Sequence, residues 1–360
     1  MNRRERMRRC YFHEELDRPA VYSRDGFPPD DPTYDALHAC LAERTELKGH
    51  WSARSLLPPC PTDVHAEPYS EDFERRVTVL HTPAGDLRSS RLVSLGGRPG
   101  MDESHFLTDR ADAEKYLSLP RPRPSGGVEG FFAADRRIGD AGIVQVSLGF
   151  NPAGAVAELF GSEAFAIMSA TDRDVLHALC EREMEILADL IRYVTARGAG
   201  PFFCLLGEEY VVPPMHGPAD FRDFNTRYDR PLADLIHEAG GRLHVHCHGS
   251  VGRVLPDFIQ IGVDVLHPFE APPMGDVTPA QAKQTARGRI CLEGNIQIAD
   301  MYEASPAAIR EQTWALIADC FDDRRGLIVS PTASPYVRSA GGQCLPQYVA
   351  MIDEVLGWRP

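Results

Sequence analysis

An α/β protein built on a (β/α)8 barrel is what the sequence predicts, on three observations. From about residue 140 onward a short apolar strand, a polar loop and an amphipathic helix alternate, six times in about 220 residues. Each strand is apolar enough to be buried on both faces, as parallel strands are. No G-x-G-x-x-G follows the first strand and no G-x-x-x-x-G-K-[ST] occurs, which weakens the case for a nucleotide-binding open sheet, the other arrangement this alternation fits.

Residues 1–125 are rich in Pro, Arg and Asp and are expected to pack on the barrel as an extension of helices with a small β-hairpin. That hairpin reads as Arg76–Leu80 and Leu87–Val93, joined through Pro83-Ala84-Gly85. Pro120–Pro124 and Gly126-Gly127 punctuate the chain, and the barrel core is expected over 126–360, within one domain. The strands read as Ile143–Gly149, Phe202–Leu206, Leu243–Cys247, Val263–Leu266, Ile290–Leu292 and Leu327–Val329; two of the eight are not placed. Val175, Leu176, Leu179, Ile186, Leu187, Leu190 and Ile191 form a helical stripe, closed by Gly198. Thr278-Pro279 and Ser305-Pro306 are cap-plus-proline starts, since proline needs no amide donor there. Ile309, Thr313, Leu316, Ile317 and Cys320 keep the helical period after the second.

The 360 residues are 43% hydrophobic and 25% charged, which supports a sizeable core and excludes disorder as the main state. No run approaches the roughly 18 apolar residues of a membrane span, and the basic start lacks a secretory apolar stretch. A net charge of −14 argues against a nucleic-acid partner, which needs a basic surface. Nine scattered cysteines without a C-x-x-C pair suit reduced thiols and a cytoplasmic protein.

In parallel barrels chemistry sits where strands end. Those positions here deliver Glu208-Glu209-Tyr210, His244-Val245-His246-Cys247-His248-Gly249, His267-Pro268-Phe269-Glu270, Glu293-Gly294-Asn295 and Ser330-Pro331-Thr332. Side chains alternate along a strand, so His244, His246 and His248 share a face. The outer two would stand roughly 13 Å apart, at about 3.3 Å per residue, so one ion cannot take all three unless the chain turns. Gly249 permits such a turn, which makes His246 and His248 the candidate pair, with His244 deeper and held by core hydrogen bonds. One of Glu208 and Glu209 is expected to cap the next helix, and Glu293 is a candidate brace for its turn.

Several of these segments resemble the uroporphyrinogen decarboxylase superfamily: Arg4-Glu5-Arg6-Met7, Asp17-Arg18-Pro19-Ala20-Val21, Gly207-Glu208-Glu209-Tyr210, His246-Cys247-His248-Gly249, Gly262–Leu266 and Glu293-Gly294-Asn295-Ile296. The resemblance runs over nearly the whole chain and implies a (β/α)8 barrel with one of two chemistries. One is cofactor-free decarboxylation of uroporphyrinogen; the other is zinc-dependent methyl transfer between a corrinoid or pterin carrier and a thiol. The decarboxylases carry an Arg-Gln-Ala-Gly-Arg motif, for which this chain has Ser23-Arg24-Asp25-Gly26-Phe27, keeping Arg24 but losing the second arginine and adding the charge of Asp25. The methyltransferases carry His-x-Cys where this chain has His246-Cys247-His248, and a later cysteine where it has Ser330-Pro331-Thr332.

The resemblance therefore implies a superfamily enzyme nearer the methyltransferase branch. His246 and His248 would hold zinc with Glu209 or Glu270 as third ligand or base, and Cys344 is a further candidate ligand. A His/His/Glu site is harder than a thiolate site and suits polarising an oxygen or activating water. Tyr210, Asn295, Arg24 and Glu293 are the candidate substrate contacts, and the loop Val211–Pro218 a candidate wall. A separate corrinoid protein would be the partner, and a homodimer is expected. The alternatives are a cofactor-free decarboxylase acting on a porphyrinogen or smaller carboxylate through His246, His248 and Glu209, and a non-catalytic binding barrel.

Overall fold

In the computed structural model, which describes residues 1–24, 26, 30–96 and 99–359, the sequence forms twelve strands among those residues. They are β1 (Ala20–Val21), β2 (Leu47–Ser52), β3 (Thr62–Pro68), β4 (Phe73–Leu80), β5 (Leu87–Ser94), β6 (Met101–Ser104), β7 (Gly142–Phe150), β8 (Phe202–Leu206), β9 (Arg242–His246), β10 (Val265–His267), β11 (Cys291–Ile296) and β12 (Leu327–Pro331). Eight make a curled, all-parallel sheet in the order β1-β12-β11-β10-β9-β8-β7-β2. The six strands read from the apolar pattern are all in it, with ends displaced by a few residues at most.

The two unplaced strands are β1 and β2, and both come from the N-terminal segment, which thus builds the sheet as well as covering it. Their sequences explain why apolar runs do not reveal them. β1 has two residues, and β2 (Leu-Lys-Gly-His-Trp-Ser) turns Lys48, His50 and Ser52 to the polar interior. The expected hairpin is β4 and β5, but it sits within a four-stranded antiparallel sheet, β3-β4-β5-β6. The flanking strands have alternating polar surfaces exposed throughout, so no apolar face announces them.

Glu46 joins the two ends of the parallel sheet. Its backbone N–H donates to Val21 O (3.0 Å), and its fully buried carboxylate accepts from Val21 N (2.7 Å), Arg6 Nη1 (2.7 Å) and Arg18 Nη2 (2.9 Å). A buried charge is stable only when it is paired and its lone pairs are filled, and here both conditions are met. The Arg6 and Arg18 segments are thereby tied to the start of β2.

Around the sheet, the helix Arg173–Thr195 buries all seven residues of its predicted stripe. Gly198, at φ 79°, lets Ala199 N return to Val194 O at 3.1 Å, as the glycine stop requires. Thr278 forms a capping box with Gln281, and Ser305 accepts from Ala308 N at 3.2 Å. No helix among the described residues is long and apolar enough to cross a membrane.

Replacing Glu46 by alanine removes the acceptor shared by Arg6, Arg18 and Val21. The expected loss is about 3–5 kcal/mol, read as a lower urea midpoint. A midpoint within experimental error of the parent would show that the sheet ends hold without it.

Candidate active site

A cavity of about 400 Å³ opens at the carboxyl ends of the parallel strands, between side chains of β2, β7, β8, β9, β10 and β11. Its chemistry is set by Arg24, Lys48, His244, His246, His267 and Glu293. Lys48 on β2 and Glu293 on β11 form a buried ion pair across the barrel interior, each with a side chain 2% exposed. Burial raises the Glu293 carboxyl, but Lys48 and His244 outweigh it and hold the group well below the usual range. The Lys48 ammonium also lies over the rings of Tyr22 (4.6 Å) and Tyr11 (5.7 Å), which adds attraction from their π faces.

Three histidines are held neutral. Burial first, then Lys48, lowers His244 to about 4; burial lowers His267 to about 3 against the pull of Glu293. Burial, then the neighbouring His267 and Arg24, lowers His246 further still. The hydrogen bonds assign their protons. Pro331 O can only accept, so His267 Nε2 (3.1 Å away) carries the hydrogen and His267 Nδ1 is an acceptor. His246 Nδ1, 2.8 Å from it, is therefore the donor. Arg24 Nη1 sits at the edge of the same ring, 2.8 Å from His246 Nδ1 and 3.1 Å from Nε2; a guanidinium only donates, so its acceptor is Nε2, the nitrogen that the bond to His267 leaves with a lone pair.

His244 departs from the expected satisfied core histidine: its ring nitrogens have no hydrogen-bond partner among the described residues, and Nε2 stands 3.4 Å from Glu293. His248 leaves the strand through the turn at Gly249, whose φ of 94° favours glycine. Its imidazole is 40% exposed, with Nδ1 3.2 Å from Glu270 Oε2, and meets His246 edge-to-face at 4.7 Å between centroids. Glu270 also accepts from Gly249 N at 3.2 Å.

Arg24, His246 and Glu293 thus line the cavity, while His248 and Glu270 pair beside it. Asp25 and Phe27, the neighbours of Arg24 in its motif, lie outside the described residues. Glu209 does not line the cavity; its Oε2 caps Gly207 N at 3.0 Å, the backbone role expected of one of the two glutamates. Glu208 is fully buried near Asp229, and burial raises both, Asp229 to about 8. Tyr210 gives its hydroxyl to Glu158, and neither Asn295 nor the loop Val211–Pro218 lines the cavity. Cys344 is buried in the helix Gly341–Gly357, where its thiol donates to Gly341 O and burial pushes it up to about 11. Lys48 and His50 are site residues that the sequence reading did not name, and His267 was named there as a strand-end position without a role. His267 directly follows a predicted strand; Lys48 and His50 lie on an unplaced one.

The residues expected to hold zinc do not gather into a ligand set. His246 has His267 at Nδ1 and the cationic Arg24 within 3.1 Å of both ring nitrogens, and the Cys344 thiol is no thiolate. Among the described residues no three His, Cys, Asp or Glu side chains stand together as metal ligands.

A histidine whose folded pKa lies below its unfolded value binds fewer protons when folded, so stability rises with pH through the interval between the two values. For His244 that interval runs from about 4 to the ordinary 6.5. Acidifying from pH 7 to 4.5 should therefore cost stability that His244→Asn does not lose, by about 2–3 kcal/mol. Calorimetric melts of both proteins at the two pH values test this; parallel shifts would mean His244 titrates normally in the fold.

The sequence pattern of the uroporphyrinogen decarboxylase (URO-D) family matches residues 151–336. No curated protein matches the sequence. Among solved structures, a methyltransferase from Methanosarcina mazei aligns with a TM-score of 0.61 at 14% identity, covering 98% of this chain and 99% of that one. A B12-independent methionine synthase from Shewanella sp. W3-18-1, in complex with selenomethionine, aligns with a TM-score of 0.47 at 13% identity, covering 67% and 70%. At 14% identity the likeness to the Methanosarcina mazei protein is one of fold. The family match spans more than half of the chain and includes the strand ends that carry His246, His267 and Glu293, so this protein belongs to the uroporphyrinogen decarboxylase (URO-D) family.

Proposed function

We propose that this family member is a carboxy-lyase acting on a small substrate that carries at least one further carboxylate. The observation that carries the reading is Arg24. Its guanidinium faces the barrel-mouth cavity, its side-chain contact is a neutral imidazole, and no carboxylate pairs with it among the described residues. Lys48 is consumed by Glu293, so the cavity holds one uncompensated positive charge. One fixed cation suits one anchoring carboxylate. The volume is near the small end of ligand pockets, which run roughly 300–1,000 Å³, and favours a small acid over an octacarboxylate tetrapyrrole.

The anchored carboxylate is not the one that leaves, because pairing with Arg24 would stabilise the ground state. The leaving group's C–C bond breaks with its electron pair remaining on the substrate carbon, which then takes a proton as CO2 departs. The proton is drawn from solvent at the cavity mouth, where His248, paired with Glu270, meets water beside His246.

Zinc-dependent methyl transfer with a corrinoid partner protein is the second reading, favoured by the edge-to-face approach of His246 and His248 beside Glu270. It requires Arg24 to leave His246. Elemental analysis of dialysed protein decides between the two. About one zinc per chain, lost in His246→Ala and His248→Ala, would replace the lyase reading.

For the lyase, small dicarboxylic acids should raise the melting temperature and release CO2. Arg24→Met should weaken binding by about 1.5–3 kcal/mol, roughly ten- to a hundredfold or more, the scale of a charged hydrogen bond. Undiminished binding in Arg24→Met would sink the anchor.

A further inference from the structure

A second cavity, of about 590 Å³, lies outside the barrel mouth, between the segments Arg54–Pro61 and Tyr116–Arg123 and the helix Arg173–Thr195. It is larger than the barrel-mouth cavity and shares no lining residue with it. Four arginines line it, in a protein whose net charge is −14. Two are neutralised from the helix: Arg121 pairs with Glu185, and Arg123 with Asp189 at 2.5 Å. The other two are not. Arg54 donates through Nε to Leu148 O (2.8 Å), and no carboxylate pairs with it among the described residues. Arg182 donates to Leu119 O (2.9 Å) and Pro120 O (3.1 Å), lies over the Tyr116 ring, and likewise has no carboxylate ion-paired with it among those residues. The one carboxylate lining the cavity, Glu183, accepts from the Tyr116 hydroxyl at 3.2 Å.

Two guanidiniums without carboxylate partners beside a proline-rich, largely apolar wall describe an amphipathic anion site. We propose that this cavity is a second binding site, for an organic carboxylate with a flat apolar body. The body would lie against Leu57, Pro58, Pro120 and Ile186, and the carboxylate would face Arg54 and Arg182. The volume far exceeds what an inorganic anion fills, and the wall offers such an ion little hydrogen bonding.

Cys60 provides a local reporter, because it lines this cavity and is exposed, whereas Cys40 is half-buried and the other seven cysteines are buried. Alkylation of Cys60 by iodoacetamide, followed by peptide mass spectrometry, should slow at least tenfold with saturating 2-naphthoate. Neither 2-naphthalenemethanol nor inorganic phosphate should protect it. Protection should disappear in Arg54→Met/Arg182→Met and weaken in Arg54→Met alone, each checked for a native melt. It should persist in Arg24→Met, which separates this site from the carboxylate anchor of the barrel mouth. An unprotected Cys60 in the parent protein, equal protection by the neutral alcohol, or protection retained in the double variant would overturn the proposal.

Discussion

The ion pair between Lys48 and Glu293 is the constraint on which the rest of the barrel mouth depends. It bridges β2, which comes from the N-terminal segment, and β11, far along the sheet order, through a low-dielectric interior. Taking two charges out of water costs several kcal/mol per ion and is tolerable only where each meets the other at close range. Once made, the pair fixes the electrostatics of its neighbours. Lys48 opposes a proton on His244, and Glu293 is kept ionised although burial alone would protonate it. The imidazoles therefore sit beside a charged pair while remaining neutral themselves, and a neutral ring, with one donor and one acceptor nitrogen, suits the His246–His267–Pro331 chain. The position of Arg24 follows in turn, since a cation packs against His246 only if that ring offers a lone pair.

Much of this was legible in the sequence, and the illegible parts have definite causes. Parallel strands buried on both faces announce themselves as apolar runs, and six did. β1 and β2 escaped because a two-residue strand has no period and because β2 carries its polar residues toward the site. The feature that makes β2 functional is the one that hides it. Among site residues, the rule that chemistry collects at strand ends pointed to His246, Glu293 and the loop bearing Glu270. It also led to His267, but as a position rather than as a partner of His246. Alternation along β9 separated the deep His244 from the rim pair, and the burial gradient from His244 to His248 follows it. What spacing could not convey was which groups would be engaged by others. Glu209 closes on the Gly207 amide, Tyr210 on Glu158, and Cys344 is buried in a helix, so three chemically able residues serve the scaffold.

The departures from the family motifs become physically coherent when read together. A histidine in place of a cysteine at position 248 removes a thiolate, and Ser330-Pro331-Thr332 supplies none. What takes their place around His246 is His267 at Nδ1 and Arg24 within 3.1 Å of both nitrogens. A soft, electron-rich metal site and a guanidinium cannot share one imidazole, because the metal and the arginine compete for the same lone pair. Arg24 is also the residue retained from the arginine motif of the decarboxylases, and losing the second arginine of that motif matches a cavity with a single free charge rather than a cluster built for many carboxylates.

Net charge of −14 looks unfavourable for the anion binding proposed at the two cavities, but distance resolves the conflict. At physiological ionic strength the Debye length is about 8 Å, so carboxylates elsewhere on the surface are largely screened from an anion at the barrel mouth. Charges lining a recessed cavity are screened far less, because low-dielectric walls rather than salt solution lie between them and the ligand. Arg24 in one cavity, and Arg54 with Arg182 in the other, are cations with no ion-pair partner among the described residues, and in the second cavity the single carboxylate of Glu183 faces the pair. The surface acidity then slows the approach of every anion alike, and selection among them falls to cavity volume and to the apolar surface each encloses. On the proposed readings a small acid would fill the barrel mouth, whereas only a ligand with a broad apolar body would make full use of the second cavity.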